Sequence, residues 1–248
     1  MVRERLDEAL VRRGLAPSRA RARDAILRGC VSVDGRAADK AGAQVAESSL
    51  ILVADPALEW VSRAALKLVA GLDAFGFDVS GKTCLDIGAS TGGFTQVLLA
   101  RGAARVHAID VGHGQLAGEV AEDPRVIGHE GLNARDLTAE DVRDPVEAIV
   151  CDVSFISLKL TLPPALALAV PGAVLVALVK PQFEVGREAL GKGGIVRDPA
   201  DAERAANGIA AWLAAQGWTV AGPIPSPISG GDGNREFLLG ARKDGGNG

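Results

Sequence analysis

The chain has 248 residues, of which 48% are apolar, and carries a formal net charge of −4. This length suits one or two domains, and the apolar fraction excludes a low-complexity chain without a core. The charge is uneven, because residues 1–40 hold 10 Arg and Lys against 6 Asp and Glu, whereas the remainder holds 17 against 25. A basic N-terminal unit on an acidic body predicts a separate nucleic-acid-binding module.

The cysteines and the N terminus indicate the compartment. Cys30, Cys84 and Cys151 show no CxxC spacing, so we interpret them as small buried side chains and expect neither disulfides nor a metal site. The first ten residues carry charges throughout and lack the apolar stretch of a secretory leader. These features favour a cytoplasmic protein.

One apolar segment, residues 160–179, has the length and hydropathy of a membrane span. Pro163, Pro164, Pro171 and Gly172 divide it, however, into a short helix, a turn and a β-branched strand. Buried parallel strands are continuous apolar runs of this kind. We therefore expect this segment to lie in a protein core.

The first unit is predicted to contain two short helices, at 3–14 and 18–29, followed by strands with an Asp-Gly turn at 34–35. A further strand closes the unit near residue 55. We predict a small α+β domain at 1–57, as a candidate RNA- or DNA-binding module, and a linker at 58–63.

In the second unit, predicted at 64–244, strands alternate with helices. This alternation predicts an α/β, Rossmann-like sheet that is mostly parallel, with an antiparallel last strand. The predicted helices are 63–75, one after the first strand, one after 152, and 199–215; the predicted strands are 83–88, 105–110, 147–152, 173–180, 218–222 and 235–242.

A glycine-rich turn, within CLDIGASTGGFTQVLL at 84–99, joins the first strand to a helix. It does not match the dinucleotide fingerprint GxGxxG. It matches the nucleophile elbow GxSxG at 88–92, but no histidine follows the late strands, as a hydrolase would require. Two interpretations stay open at this point: a plain βα turn, and an S-adenosylmethionine (SAM) loop whose glycines pass beneath the methionine and ribose portions of the cofactor. The candidate cofactor contacts of such a loop are Asp86, Gly88, Ala89, Ser90, Thr91, Gly92, Gly93 and Phe94.

Two further residues are candidates for the same pocket. Asp110 ends the second strand, where an acid can accept hydrogen bonds from ribose hydroxyls, as NAD and SAM both require. Asn133 follows the presumed third strand and is a candidate contact for adenine.

Four charged residues lie at the ends of predicted elements. Lys67 is on the helix before the first strand, Asp152 and Lys180 follow buried strands, and Glu236 begins the last strand. Ligands of open α/β sheets bind at the carboxyl ends of the strands. Gathered there, these groups could activate a weakly acidic hydroxyl.

Several motifs together carry a family resemblance. DIGASTGGFT, CDVSFISL, LVKPQFE with the later KGGIVRD, and GDGNREFLL resemble the TlyA family of ribosomal RNA 2′-O-methyltransferases, whose members are often named hemolysin A. The catalytic domain resembles the FtsJ class of RNA ribose methyltransferases. Residues 1–60 resemble the RNA-binding domain named after ribosomal protein S four.

The resemblance implies SAM as methyl donor and the ribose 2′-hydroxyl of a cytidine in 16S or 23S rRNA as acceptor, with ribosomal subunits as partners and no stable membrane insertion. By position, Lys67, Asp152, Lys180 and Glu236 match the catalytic tetrad of the family, and Asp152 also lies in its SAM pocket. We hypothesise that Lys180 is the base, that Asp152 and Glu236 flank and orient it, and that Lys67 completes the charge network.

Six arginines of the first unit are dense enough to bind RNA, although a solvated helix face is the simpler alternative. Two other functions stay open at this point: a membrane-active cytolysin, as the older family name suggests, and a catalytically silent RNA-binding assembly factor. The six arginines are Arg12, Arg13, Arg19, Arg21, Arg23 and Arg28.

Overall fold

The computed structural model describes residues 3–245. The chain divides into two compact units, Met1–Arg63 and Ala64–Gly248. The finer division into a module at 1–57, a linker at 58–63 and a domain at 64–244 stays a prediction.

The first unit packs two short helices against small antiparallel sheets. Ser18 caps the second helix, since its Oγ accepts a hydrogen bond from the backbone N–H of Arg21 at 3.3 Å. Buried Leu6, Leu10 and Ile26 lie in the core. The elements are β1 (Arg3–Arg5), α1 (Leu6–Arg12), α2 (Arg19–Leu27), β2 (Val31–Val33), β3 (Arg36–Ala37), β4 (Gln44–Ala46) and β5 (Ile51–Val53).

The predicted first helix, 3–14, begins too early. Arg3–Arg5 is a strand that pairs antiparallel with Gln44–Ala46. The helix starts at Leu6, whose backbone N–H donates to the carbonyl oxygen of Ala43 at 2.8 Å. Pairing with a distant segment thus overrides local helix propensity at the N terminus.

The second unit contains a seven-stranded sheet in the order β11-β12-β10-β9-β6-β7-β8. Neighbours from β10 to β8 are parallel, and β12 is antiparallel to both β10 and β11, which confirms the predicted fold class. The elements are α3 (Ala65–Phe75), β6 (Thr83–Ile87), α4 (Gly93–Ala100), β7 (Arg105–Asp110), α5 (Gly118–Ala121), β8 (Val126–Glu130), β9 (Val146–Cys151), α6 (Leu158–Thr161), α7 (Pro163–Leu168), β10 (Ala169–Val179), α8 (Pro199–Ala215), β11 (Trp218–Pro225) and β12 (Phe237–Lys243).

The apolar run at 160–179 ends α6 and forms α7 and β10, an inner strand of the sheet. Residues 173–179 of this strand are buried, as predicted. The strand begins earlier than expected, at Ala169, and its register with β9 shifts between Ala169 and Val174, around Pro171. No helix among residues 3–245 is long and apolar enough to cross a membrane.

Helix α3 approaches the sheet closely because glycines lie on both sides of the contact. A Cβ atom on Gly71 would lie 2.8 Å from Cγ1 of Val176 on β10. A Cβ atom on Gly240 of β12 would lie 2.5 Å from Cγ of the Phe75 ring. This packing fixes the position of α3, the helix that carries Lys67.

We expect Gly240→Ala to lower the free energy of unfolding by about 1–3 kcal/mol, because the added methyl group clashes with the ring of Phe75. Urea denaturation followed by tryptophan fluorescence measures this loss. Gly208→Ala on α8 is the matched control: its Cβ meets no atom within 4 Å, and alanine favours a helix by about 0.5–1 kcal/mol. Equal stability of the two variants would contradict the close approach of α3.

Candidate active site

Parallel strand pairing gathers the predicted site residues at one edge of the sheet. Ile87 and Cys151 are register partners at the ends of β6 and β9, and Cys151 also pairs with Ala177 of β10. The backbone N–H of Asp152 donates to the carbonyl oxygen of Ile87 at 3.0 Å. The segments after these three strands therefore lie side by side.

A cavity of about 450 Å³ opens at this edge. Its walls are largely apolar, with Asp110 and Asp152 as the acidic groups. The lining residues are Ile87, Gly88, Ser90, Ile109, Asp110, Val111, Gln115, Leu132, Asn133, Ala134, Asp152, Val153, Ser154, Phe155, Ile156 and Thr161. We refer to this space as the cofactor cavity.

The glycine-rich turn shapes one side of the cofactor cavity. Gly88 has a φ of +83°, and a Cβ there would lie 2.6 Å from the carbonyl oxygen of Asp152, so only glycine fits. Backbone N–H groups of Ser90 and Gly112 donate to the two carboxylate oxygens of Asp110 at 2.7 and 2.8 Å. A carboxylate has about four lone-pair sites, so Asp110 keeps acceptor capacity for a ligand hydroxyl.

The structure places five of the predicted cofactor residues on this cavity: Gly88, Ser90, Asp110, Asn133 and Asp152. Their role toward a cofactor stays a prediction. The other predicted residues belong to β6, the turn and the start of α4 but do not line the cavity; they are Asp86, Ala89, Thr91, Gly92, Gly93 and Phe94.

Asp86 is a buried acid below the turn. It is 0% exposed, and its Oδ2 accepts a hydrogen bond from Thr95 Oγ1 at 2.7 Å. Its Oδ1 has no hydrogen-bond partner among the described residues. Burial raises the pKa of the Asp86 carboxyl to about 7.

The four tetrad residues form two separate ion pairs. Lys67 Nζ lies 2.5 Å from Oε2 of Glu236, and both side chains are at most 7% exposed. Lys180 Nζ lies 2.6 Å from Oδ1 of Asp152 and donates to Ser154 Oγ at 2.8 Å. Glu236 precedes β12, against which α3 packs, and there its carboxylate pairs with Lys67. That Glu236 also orients Lys180 stays a prediction.

A second cavity of about 310 Å³, the catalytic cavity, contains Lys67, Lys180 and Glu236. Ser154 and Phe155 line both cavities, while Asp152 lines the cofactor cavity. The ion pair between Lys180 and Asp152 therefore connects the two spaces.

Sequence reasoning missed Ser154, Phe155, Gln182 and Phe183, which line the catalytic cavity. Phe155 is 91% exposed with a φ of +66°, and its ring centroid lies 5.1 Å from that of Phe183. Their positions could have identified them, because they lie two or three residues after Asp152 and Lys180 in the sequence.

Comparisons with known proteins agree with this geometry. The profile of the FtsJ-like methyltransferase family matches residues 60–243, and the S4 domain profile matches residues 4–51. A protein of Mycobacterium tuberculosis named 16S/23S rRNA (cytidine-2′-O)-methyltransferase TlyA is 48% identical over 96% of this chain and 89% of its own length. The chain belongs to the TlyA family.

Other TlyA-like proteins carry the hemolysin name. Hemolysin A of Brachyspira hyodysenteriae is 40% identical over 94% of this chain and 98% of its own length. A solved structure of a hemolysin-named protein from Streptococcus thermophilus has a TM-score of 0.76 and 39% identity, covering 98% of this chain and 90% of that one.

The S4 domain of this TlyA family member uses most of the predicted RNA-binding arginines internally. Arg23 is the exception: it is exposed and has no hydrogen bond or ion pair within residues 3–245. The internal partners are Glu4 for Arg12, the Ser49 carbonyl for Arg13, Asp7 for Arg19, the Trp60 carbonyl for Arg21, and Asp24 with Asp55 for Arg28.

We expect Asp86→Asn to change how stability depends on pH. The folded chain keeps the Asp86 proton up to about pH 7, whereas an unfolded aspartate releases it near pH 4. Raising the pH between these values therefore lowers the free energy of unfolding through this residue. The asparagine variant lacks that decline. The free energy of unfolding of the variant minus that of the natural chain is therefore larger at pH 8 than at pH 5, by on the order of a few kcal/mol.

Urea denaturation of both proteins at pH 5 and pH 8 measures this difference. Asp136→Asn, at an exposed position of the same unit, is the control and should leave the pH dependence unchanged. If Asp86→Asn and the natural chain instead differ in stability by the same amount at both pH values, Asp86 is ionised in the fold.

Proposed function

We propose that this chain transfers a methyl group from SAM to the ribose 2′-oxygen of a cytidine in 16S or 23S ribosomal RNA. One observation carries the proposal: the ion pair between Lys180 and Asp152 lies where the cofactor cavity and the catalytic cavity adjoin. A methyl donor on one side and a hydroxyl on the other would meet at this pair. The names of the TlyA relatives support the same reaction, and a ribosomal substrate locates it in the cytoplasm.

The residues of the cofactor cavity fit SAM. Apolar side chains such as Ile109 and Leu132 suit the faces of adenine, and Asp110 can accept a bond from a ribose hydroxyl. The carboxylate of Asp152 favours a positive charge nearby. When bound, SAM supplies an electrophilic methyl group on a positively charged sulfur.

Lys180 is the group placed to remove the proton of the nucleophile. A 2′-hydroxyl is a weak acid at neutral pH, so its oxygen attacks the methyl carbon while a base takes its proton. Nζ of Lys180 accepts that proton as the neutral amine, and Asp152 and Ser154 fix its position.

The pair between Lys67 and Glu236 has a different role. Both side chains are buried and pair with each other at 2.5 Å, so we assign proton transfer to neither. Lys67 retains further N–H donors and Glu236 further lone pairs. We assign this pair to holding the ribose hydroxyls beside Lys180.

We expect Lys180→Ala to lower kcat by about 100- to 10,000-fold, the range for loss of a general base, with the Kd for SAM changed by less than about threefold. Lys180→Arg should also be poorly active, because a guanidinium stays protonated. Transfer of tritiated methyl groups from SAM to ribosomal subunits measures turnover, and calorimetry measures SAM binding.

Lys82→Ala is the control, because Lys82 directly precedes the amino end of β6, away from the site. Near-normal turnover of Lys180→Ala would reject the assignment of the base, as would a loss that SAM binding alone explains. Leakage of liposomes caused by the natural chain, without methyl transfer, would favour the cytolysin instead.

The first unit supports binding to ribosomal RNA through cations that remain available. We expect Arg23→Ala to weaken RNA binding several-fold without loss of stability, because Arg23 is exposed and unpaired within the described chain. Arg28→Ala should instead destabilise the unit by about 3 kcal/mol, since it leaves the buried Asp55 without its cation. Filter binding and thermal unfolding of both variants separate the two effects, and equal RNA affinity of Arg23→Ala and the natural chain would contradict the first.

A further inference from the structure

Gln182 is a buried amide in the catalytic cavity that lacks partners. It lies on the 3₁₀ turn Pro181–Phe183, directly after Lys180, and is 8% exposed. Its Oε1 is buried and accepts no hydrogen bond, and its side-chain nitrogen donates none within residues 3–245. An amide buried in this state costs about 1–3 kcal/mol.

The neighbouring polar groups differ from Gln182 in this respect. The charged groups of the tetrad all have a charged partner, although Oδ1 of Asp152, which lies 2.6 Å from Nζ of Lys180, is also without a hydrogen bond. Asn234, a buried amide close by in sequence to Glu236, donates to Gly194 and Asp232 and accepts from the N–H of Val196, at 3.0–3.1 Å. A buried amide oxygen without a partner, on a residue that lines a cavity, therefore needs an explanation, and a ligand bound in that cavity would supply one.

The hydrogen-bonding groups of the amide and the substrate that enters the cavity together indicate the ligand. An amide presents a donor beside an acceptor, as does the Watson–Crick edge of a pyrimidine. Amide side chains bind base edges through two such bonds, and enzymes acting on a single nucleotide read that edge after extracting the base from its stack. Phe155 and Phe183, on the same cavity, provide aromatic faces for a planar base.

We propose that Gln182 binds the Watson–Crick edge of the target pyrimidine and so selects the nucleotide whose ribose reaches Lys180. This inference rests on the proposed function. The ribose hydroxyls face the paired charges of the tetrad, and the base extends from the same sugar into the cavity that contains the Gln182 amide.

A cycle of paired changes in protein and RNA tests the contact. The protein is natural or carries Gln182→Met, which keeps the length of the side chain but removes the amide. The RNA, in the form that the natural enzyme methylates, carries at the target either cytidine or the pyridin-2-one ribonucleoside, which lacks N3 and the exocyclic amino group. The value of kcat/KM is measured for all four combinations.

With cytidine, we expect Gln182→Met to lower kcat/KM by about 5- to 150-fold, equivalent to the 1–3 kcal/mol of a bidentate base contact. With the pyridinone, the kcat/KM values of the natural protein and of Gln182→Met should agree within about twofold, because the base edge that Gln182 binds is absent. Gln216→Met, at an exposed position, is the matched control, and unchanged SAM binding by Gln182→Met shows that the fold is intact.

Two outcomes would overturn the inference. If Gln182→Met methylates cytidine RNA with the same kcat/KM as the natural enzyme, the amide makes no useful contact. An equal loss on both RNAs would place the contact at the ribose or in the fold, not at the base. Failure of the natural enzyme to methylate cytidine RNA is a separate result, which rejects the proposed function itself.

Discussion

The parallel pairing of β6, β9 and β10 is the constraint on which the site depends. It brings the residues after three strands, Gly88, Asp152 and Lys180, to one edge of the sheet. The antiparallel β12 completes the arrangement, because its beginning, not its end, lies at this edge and carries Glu236. Residues more than a hundred positions apart thus meet without any local motif that contains them all.

The separation of the tetrad into two pairs places its members in different surroundings. The pair between Lys67 and Glu236 is almost fully buried, with side chains that are 7% and 3% exposed. The pair between Lys180 and Asp152 is more exposed and touches both cavities. Its electrostatics therefore respond to what the cavities contain, as the proton transfer that we propose for Lys180 requires.

The alternation of strands and helices was enough to predict the sheet, the core position of β10 and the edge at which the site lies. Short elements escaped prediction, because three residues such as Arg3–Arg5 carry no periodicity and form a strand only through a distant partner. The partner of Glu236 and the unsatisfied amide of Gln182 escaped for a related reason. Both depend on which side chains meet in three dimensions, and a linear sequence does not record that.

The ion pairs of the arginines in the first unit affect how strongly its binding to RNA should depend on salt. An arginine already neutralised by a carboxylate, as Arg28 is by Asp24 and Asp55, displaces few counterions when a phosphate approaches. The slope of log affinity against log salt counts the phosphates that are newly neutralised. That slope should therefore be shallower than the number of arginines suggests, and the unit should discriminate RNA by shape more than by charge.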